Sequence, residues 1–340
     1  MRVLDLSRGI AGAYCAQLLA LAGCDVVRVE LDGRDERVDA LAWACANRGK
    51  HERRAGNATD AMRFVVDAAA LVDDRGPGGL EALGLDEVTL RQANAGLVLT
   101  RLSDFGQDGP WSNWVGSELV NLATSGMLFI TGTWEQPPVQ LAPYQAQMTA
   151  GLLGALASVT ALYADEGVTL DLSTQEAMMS FVPLLISQYV YNGTVAAREG
   201  TAAMMTRIER AADDWVYAGP GAAVNADYAT FARFLEIPEL GEERFLTPDG
   251  RLANWEEHQR LVLPKLLERT REAWLARAEE WHLTFAPVYT ATELLSSDVL
   301  GERGFFAPLS PAQPEVRVPL APYVTDGVRP DALARPLVRE

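Results

Sequence analysis

The sequence predicts an α/β fold, a parallel sheet with helices on both faces, followed by a second, smaller domain. Three observations predict it. Short apolar runs alternate with helix-length runs through the first half of the chain, the order that makes a parallel sheet. A stretch without a single charge, Met148 to Tyr163, is apolar enough for a core helix. Beyond residue 200 the strand signals thin out and amphipathic helical patterns take over.

Val3 to Leu6 is a short apolar strand, Ser7-Arg8-Gly9 is the turn after it, and Ala11 to Ala22 is a helix with Leu18, Leu19 and Leu21 on its buried side. Asp25 to Val29 is the next strand, closed by Glu30. A helix over Asp60 to Asp67, a strand over Ala69 to Val72, a helix over Asp86 to Asn94 and a strand over Leu97 to Leu102 continue the alternation. Ligands of such sheets bind at the carboxyl ends of the strands. In the turn Ser-Arg-Gly-Ile-Ala-Gly, helix N–H groups and the helix dipole favour an anion, and Arg8 adds a full charge. The dinucleotide Gly-x-Gly pair is absent, and a plain tight turn reads equally well.

Gly116-Ser117-Glu118-Leu119-Val120-Asn121 opens another helix. The charge-free helix of residues 148 to 163 is expected to be buried on all sides. Val168 to Leu172 is a strand, and a helix runs from Thr174 past Leu185. Gly193 to Ala212 reads as a linker. Asp227 to Leu235, Trp255 to Arg269 and Arg271 to Trp281 are amphipathic helices of the smaller domain, and the Pro-rich chain after Arg303 is mostly extended.

Composition narrows the function. With 29 basic against 46 acidic residues the net charge is -17, which argues against a nucleic-acid partner. A local Arg cluster can still hold a small anion. Lys occurs only at Lys50 and Lys265, so nearly all positive charge is guanidinium. Cys15, Cys24 and Cys45 show no metal spacing, and Cys15 and Cys24 read as buried thiols, so a reducing, cytoplasmic compartment is expected. No signal-peptide pattern opens the chain, and the charge-free helix is too rich in Gly and Ala for a membrane span. The expectation is no membrane, no nucleic acid and no metal.

Unaided, the spacings offer little chemistry. His258, among Glu and Gln, and His282, at a helix end, read as surface histidines. There is no Gly-x-Ser-x-Gly elbow and no His-x-x-x-His or Cys-x-x-Cys pair. Acid pairs such as Asp73-Asp74, Asp213-Asp214 and Glu279-Glu280 read as solvated.

Taken in order, however, the segments resemble the class III CoA-transferases, the family of formyl-CoA transferase, carnitine CoA-transferase and α-methylacyl-CoA racemase. VLDLSRGIAGAYCAQLLALAGCDVVRVE is similar to the family's VLDLTRVLAGPYCTQLLADLGADVIKVE. Asn47-Arg48-Gly49-Lys50 resembles its N-R-G-K, and the run from Ser103 to Pro110 its S-G-F-G-Q-x-G-P. GSELVNLATSGMLFITG resembles G-Y-D-L-V-A-Q-A-x-S-G-L-M-x-x-T-G. The run from Arg251 to Thr290 is similar to the family's R-T-x-x-E-W pattern, so the likeness covers nearly the whole chain.

The resemblance implies a Rossmann-like parallel-sheet large domain over residues 1–200, completed by about 305–340. It also implies a smaller α+β domain with a linker over 201–304, and an interlocked dimer, either a homodimer or a heterodimer with a homologue. It implies acyl-CoA or a small carboxylic acid as the ligand, with coenzyme A as substrate and no permanently bound cofactor. Arg8 and Ala11 would flank the CoA, with Arg37, Lys50 and Arg75 as cofactor-binding candidates. The E-N-F-R-P-G loop of the family reads Asp73-Asp74-Arg75-Gly76-Pro77-Gly78 here, and its closing L-G-E-H-T is missing from an end that reads Arg-Pro-Leu-Val-Arg-Glu.

The family's transferases use one Asp as nucleophile in the pattern D-x-x-[STA]-G, and the matching Gly here is Gly151, which puts Gln147 at the Asp position. An amide is neutral and a poor nucleophile, and it cannot act as acid or base. The racemases' His is Ser117, and the nearest carboxylate by motif is Glu118. Gln147 and Glu118 are therefore the catalytic candidates, and an acyl-CoA enzyme with altered or lost chemistry is the leading expectation. The alternatives are a non-catalytic partner subunit of a related active chain, or the fold reused on a ligand without CoA.

Overall fold

The computed structural model describes residues 1–55, 57–132, 136–164, 167–195, 207–219, 228–331 and 333. The chain divides into two units, one of Met1–Gly132, Pro138–Val195 and Asp298–Glu340, the other of Thr133–Pro137 and Ala196–Ser297.

The alternation of the first half closes into a sheet of order β3-β2-β1-β4-β5-β6. Its strands are β1 (Arg2–Asp5), β2 (Asp25–Glu30), β3 (His51–Arg54), β4 (Ala70–Asp73), β5 (Val98–Ser103) and β6 (Thr169–Ser173), all paired in parallel. Strand order reverses between β1 and β4, which opens a crevice beyond their carboxyl ends. The sequence reading missed β3. Its residues, His-Glu-Arg-Arg, are mostly exposed, as suits a strand that among the described residues pairs only with β2, at the sheet edge. The short helix α2 (Ala40–Ala46) precedes it; Asp39 caps its start by accepting from the N–H groups of Leu41 and Ala42 at 2.9 Å.

Helix α1 (Ile10–Leu21) buries Ile10, Ala11, Ala13, Cys15, Ala16, Leu19 and Ala20, while Leu18 and Leu21 stay half-buried. The small residues are inside because a second backbone lies against them. That backbone is α6 (Gln145–Ala164), reached after α3 (Ala58–Val65), α4 (Glu87–Ala93) and α5 (Glu118–Thr124). A Cβ on Gly151 would sit 2.6 Å from the Ala11 carbonyl oxygen, and one on Gly154 would meet Cys15 Sγ at 3.3 Å. Only glycine permits this approach.

The expectation that α6 is buried on every side fails. Ala146, Ala150, Gly151, Gly154, Ala155 and Ser158 form its buried stripe, whereas Leu156 is 62% and Tyr163 94% exposed. Sheet and α1 cover one face; on the other, Leu152, Leu156, Val159 and Tyr163 are exposed among the described residues. By length and composition α6 could also cross a membrane, but its small-residue stripe is packed on α1. The helix expected to run from Thr174 past Leu185 is two, α7 (Thr174–Met179) and α8 (Pro183–Asn192): Pro183 has no N–H to continue the first helix and stands instead in the first turn of the second.

Beyond the second unit, the chain returns as the antiparallel hairpin β10 (Phe306–Ser310) and β11 (Gln313–Pro319). Arg48 ties it down, donating to the Pro308 and Leu309 carbonyls at 3.1 and 3.2 Å and pairing with Asp331 at 2.5 Å.

In the second unit, β7 (Arg207–Arg210) falls where the sequence suggested linker, and residues 196–206 of that linker lie outside the described residues. It pairs with β8 (Trp215–Gly219), which pairs with β9 (Thr284–Pro287), all antiparallel. Helices α9 (Tyr228–Phe234), α10 (Trp255–Leu266) and α11 (Arg271–Trp281) pack on this sheet around Phe234, Trp274 and Phe285. His258 is a core residue, not a surface one: it is 4% exposed, and its Nε2 lies 2.5 Å from the Tyr228 hydroxyl. The spacing of His258, Val262 and Leu266 puts all three on the buried face of α10. The acidic neighbours that suggested a surface position point the other way.

Gly151→Ala tests the helix contact. The added methyl gains helix propensity but collides with the α1 backbone, and a net loss of about 2 kcal/mol is expected. A urea titration that shows an unchanged or raised midpoint would contradict the packing described.

Candidate active site

The crevice beyond β1 and β4 is built from helix ends and the carboxylates that cap them. Asp74, the residue after β4, places its carboxylate at the start of α1. It accepts from the N–H groups of Arg8 at 2.7 Å, Gly9 at 3.0 Å and Gly12 at 2.9 Å. The anion predicted at this turn is thus the chain's own Asp74. Burial pushes its carboxyl up, against the pull of its backbone donors. Asp73 beside it is 1% exposed, paired with Arg75 and pushed by burial up to about 6. Neither acid of this pair is solvated as the sequence suggested.

The same device recurs at α6. Glu118, in the first turn of α5, accepts from the N–H of Ala146 at 2.8 Å and of Gln147 at 3.4 Å, and burial raises its carboxyl too. Asp104, after β5, accepts from the N–H of Gly116 at 2.9 Å and from Asn121 Nδ2 at 2.8 Å. A Cβ at Gly116 would lie 2.3 Å from Asp104 Cγ, so that approach also requires glycine. Tyr144, just before α6, is held at φ +67°, a left-handed conformation rare for a side chain of its size. Its hydroxyl accepts from the Asp39 N–H at 2.9 Å.

These elements enclose a cleft of about 230 Å³. Ala11, Arg37, Glu118 and Gln147, all singled out in the sequence, line it together. Asp74, Asp104 and Tyr144 line it as well; none of the three was assigned a catalytic or binding role from the sequence. Among the described residues, no hydrogen bond engages the Gln147 side-chain amide. It can donate to or accept from a ligand but cannot ionise.

The candidate cations are placed differently. Arg37 is in the cleft, 66% exposed, and its guanidinium grips Asp35 at 2.6 Å. That bond holds the Asp35 carboxyl below its usual range. Arg8 donates to the Gly33 carbonyl at 3.0 Å and lies 3.5 Å from Asp32. Arg75 is nearly enclosed, bound to Asp73, to Asp32 at 2.7 Å and to the Leu6 carbonyl at 2.5 Å. Lys50 has no exposed side-chain surface; its Nζ donates to Asp5 at 2.7 Å, to the Ala13 carbonyl at 2.6 Å and to Asn47 at 2.9 Å. Lys50 holds β1 to α1 from within and presents no charge to the cleft.

Residues 1–337 match CoA-transferase family III. The chain belongs to this family. Succinyl-CoA–D-citramalate CoA-transferase of Chloroflexus aurantiacus is 27% identical over 322 residues, which is 87% of this chain and 79% of that protein. The succinyl-CoA:glutarate CoA-transferase of Mus musculus is 24% identical over 322 residues, 87% of this chain and 73% of its own length. A CAIB/BAIF family protein from Brucella suis superposes with a TM-score of 0.87 at 22% identity, covering 98% of this chain and 94% of the other. Rv3272 of Mycobacterium tuberculosis superposes at 0.82 and 20%, covering 97% and 93%. The fold is that of these structural neighbours, with the cleft at its switch point.

Asp74→Ala would orphan the N–H groups at the start of α1. It should lower stability by about 1–2 kcal/mol, while Asp74→Asn, which keeps one acceptor, should lose less. Thermal melts of the two variants check the order; equal melting would mean the cap carries no weight.

Proposed function

We propose that this CoA-transferase family III chain binds an acyl-CoA thioester in the cleft and acts on it by a route other than aspartyl exchange. The observation that carries the reading is Gln147, an uncharged amide in the cleft at the mouth of α6. A carboxylate there could be acylated and later expelled; an amide can do neither. What Gln147 can do is donate a hydrogen bond to a thioester carbonyl and orient it. Glu118 supports that role. With its oxygens turned to the backbone N–H groups of Ala146 and Gln147, it positions the amide rather than attacking. Arg37, the exposed guanidinium of the cleft, would read a phosphate by exchanging Asp35 for it.

A second reading, a partner subunit that lends its fold to a related active chain, is favoured by the uncovered face of α6, where Leu152, Leu156, Val159 and Tyr163 are exposed. The Succinyl-CoA–L-malate CoA-transferase of Chloroflexus aurantiacus has a chain named as its alpha subunit, 25% identical to this one over 332 residues.

Calorimetry with CoA and butyryl-CoA, followed by mass spectrometry of the chain, separates the readings. Saturable binding without a covalent acyl or CoA adduct is expected. Gln147→Asp should create an adduct and measurable CoA exchange between two acids. A wild-type chain that forms the adduct alone would overturn the altered-chemistry reading, and one that binds only when co-expressed with a homologue would favour the partner subunit.

A further inference from the structure

Beside the cleft lies an apolar pocket of about 320 Å³ that the reading above does not use. Ile10, Tyr14 and Leu18 of α1, Cys45 of α2, Met148 of α6 and Leu320 after β11 wall it. Tyr144 lines both spaces. Around that ring the chain alternates: Gly9 and Ala11 line the cleft while Ile10 lines the pocket, and Gln147 lines the cleft while Met148 lines the pocket. Tyr144 packs against the buried cluster of Ile10, Ala13, Val38 and Ala46, and its hydroxyl is latched to the Asp39 N–H. One side chain therefore separates a polar compartment from an apolar one.

The charge of the cleft decides what can enter both. Asp35, Asp74, Asp104 and Glu118 line it, and Arg37, the guanidinium among its lining residues, is already paired with Asp35. An acyl group that ends in its own carboxylate would meet four carboxylates and no uncommitted cation among the described lining residues. The apolar pocket would strip its water and return no partner. The relatives quoted above are named for dicarboxylic acids.

We infer that this chain selects the CoA thioester of an uncharged aliphatic acid, with the thioester carbonyl at Gln147 and the alkyl tail past Tyr144 in the apolar pocket. This inference rests on the acyl-CoA reading.

Calorimetry of the full chain with CoA and with acetyl-, butyryl-, hexanoyl- and succinyl-CoA tests it. Burial of the tail tightens binding by up to about fourfold per methylene, so hexanoyl-CoA should bind at least about tenfold tighter than acetyl-CoA. Succinyl-CoA should bind at least about tenfold weaker than butyryl-CoA, its neutral counterpart of equal chain length. Ala42→Trp, at a half-exposed position of the pocket wall, should erase the gain with chain length and leave acetyl-CoA binding in place. Leu18→Trp fills the same pocket from α1 should the first variant not fold. A flat chain-length series with CoA binding retained, or succinyl-CoA as tight as butyryl-CoA, overturns the inference alone. No binding of CoA or any thioester overturns the acyl-CoA reading and the inference with it.

Discussion

The approach of α6 to α1 at Gly151 is the constraint from which the site follows. Two helix backbones in contact leave no room for side chains, so small residues fill both facing stripes and larger ones turn outward. The contact also sets position. Ala11, whose carbonyl oxygen Gly151 abuts, lies in the first turn of α1, and Gln147 lies about one turn before Gly151. Locking the two helices together therefore carries the mouth of α6 over the carboxyl ends of the strands, the one place in such a sheet where chemistry is easily reached. A helix moved by even one residue would point a different side chain into the cleft.

Around that contact the chain meets its helix ends with its own carboxylates. Asp74 satisfies α1, Glu118 satisfies α6, and Asp39 satisfies α2. Each arrangement is favourable by helix-dipole and hydrogen-bond arguments. Each also occupies a place where a ligand's anion would otherwise bind. Most guanidiniums near the crevice are likewise committed to Asp32, Asp35 or Asp73. Such a surface admits an anion only by exchange, which tilts recognition toward the neutral parts of a ligand.

The sequence made the sheet legible because β1, β2, β4 and β5 are apolar runs, and their periodicity survives any tertiary context. It hid β3, whose His-Glu-Arg-Arg has the polarity of an exposed edge. It misled at α6, where freedom from charge was taken for burial on all sides; apolarity reports affinity for a covering surface, not that a single chain supplies one. His258 was misjudged through its sequence neighbours, although its four-residue spacing to Val262 and Leu266 carried the right signal. In the site, the motifs pointed to Ala11, Arg37, Glu118 and Gln147, and these do line one cleft. Lys50 could not be placed from sequence, because nothing in Asn-Arg-Gly-Lys says that the ammonium turns inward to Asp5. Asp74 was hidden for the same reason: its role exists only once β4 has been set beside β1.

Gln147 and Asp74 make more sense together than apart. On the motif resemblance, Gln147 stands where the family has Asp, and Asp74 stands where its E-N-F-R-P-G loop has Asn. Both residues line the same cleft. On that resemblance a carboxylate is absent at one wall and present at the other. Asp74 would not replace a nucleophile. Asp74 is gripped by three backbone N–H groups, which lower its nucleophilicity and tie it to α1. A carboxylate placed at position 147 would carry no such ties, since Glu118 engages the backbone N–H there and not the side chain. The amide keeps hydrogen-bonding capacity at this wall of the cleft without adding a further carboxylate to Asp35, Asp74, Asp104 and Glu118.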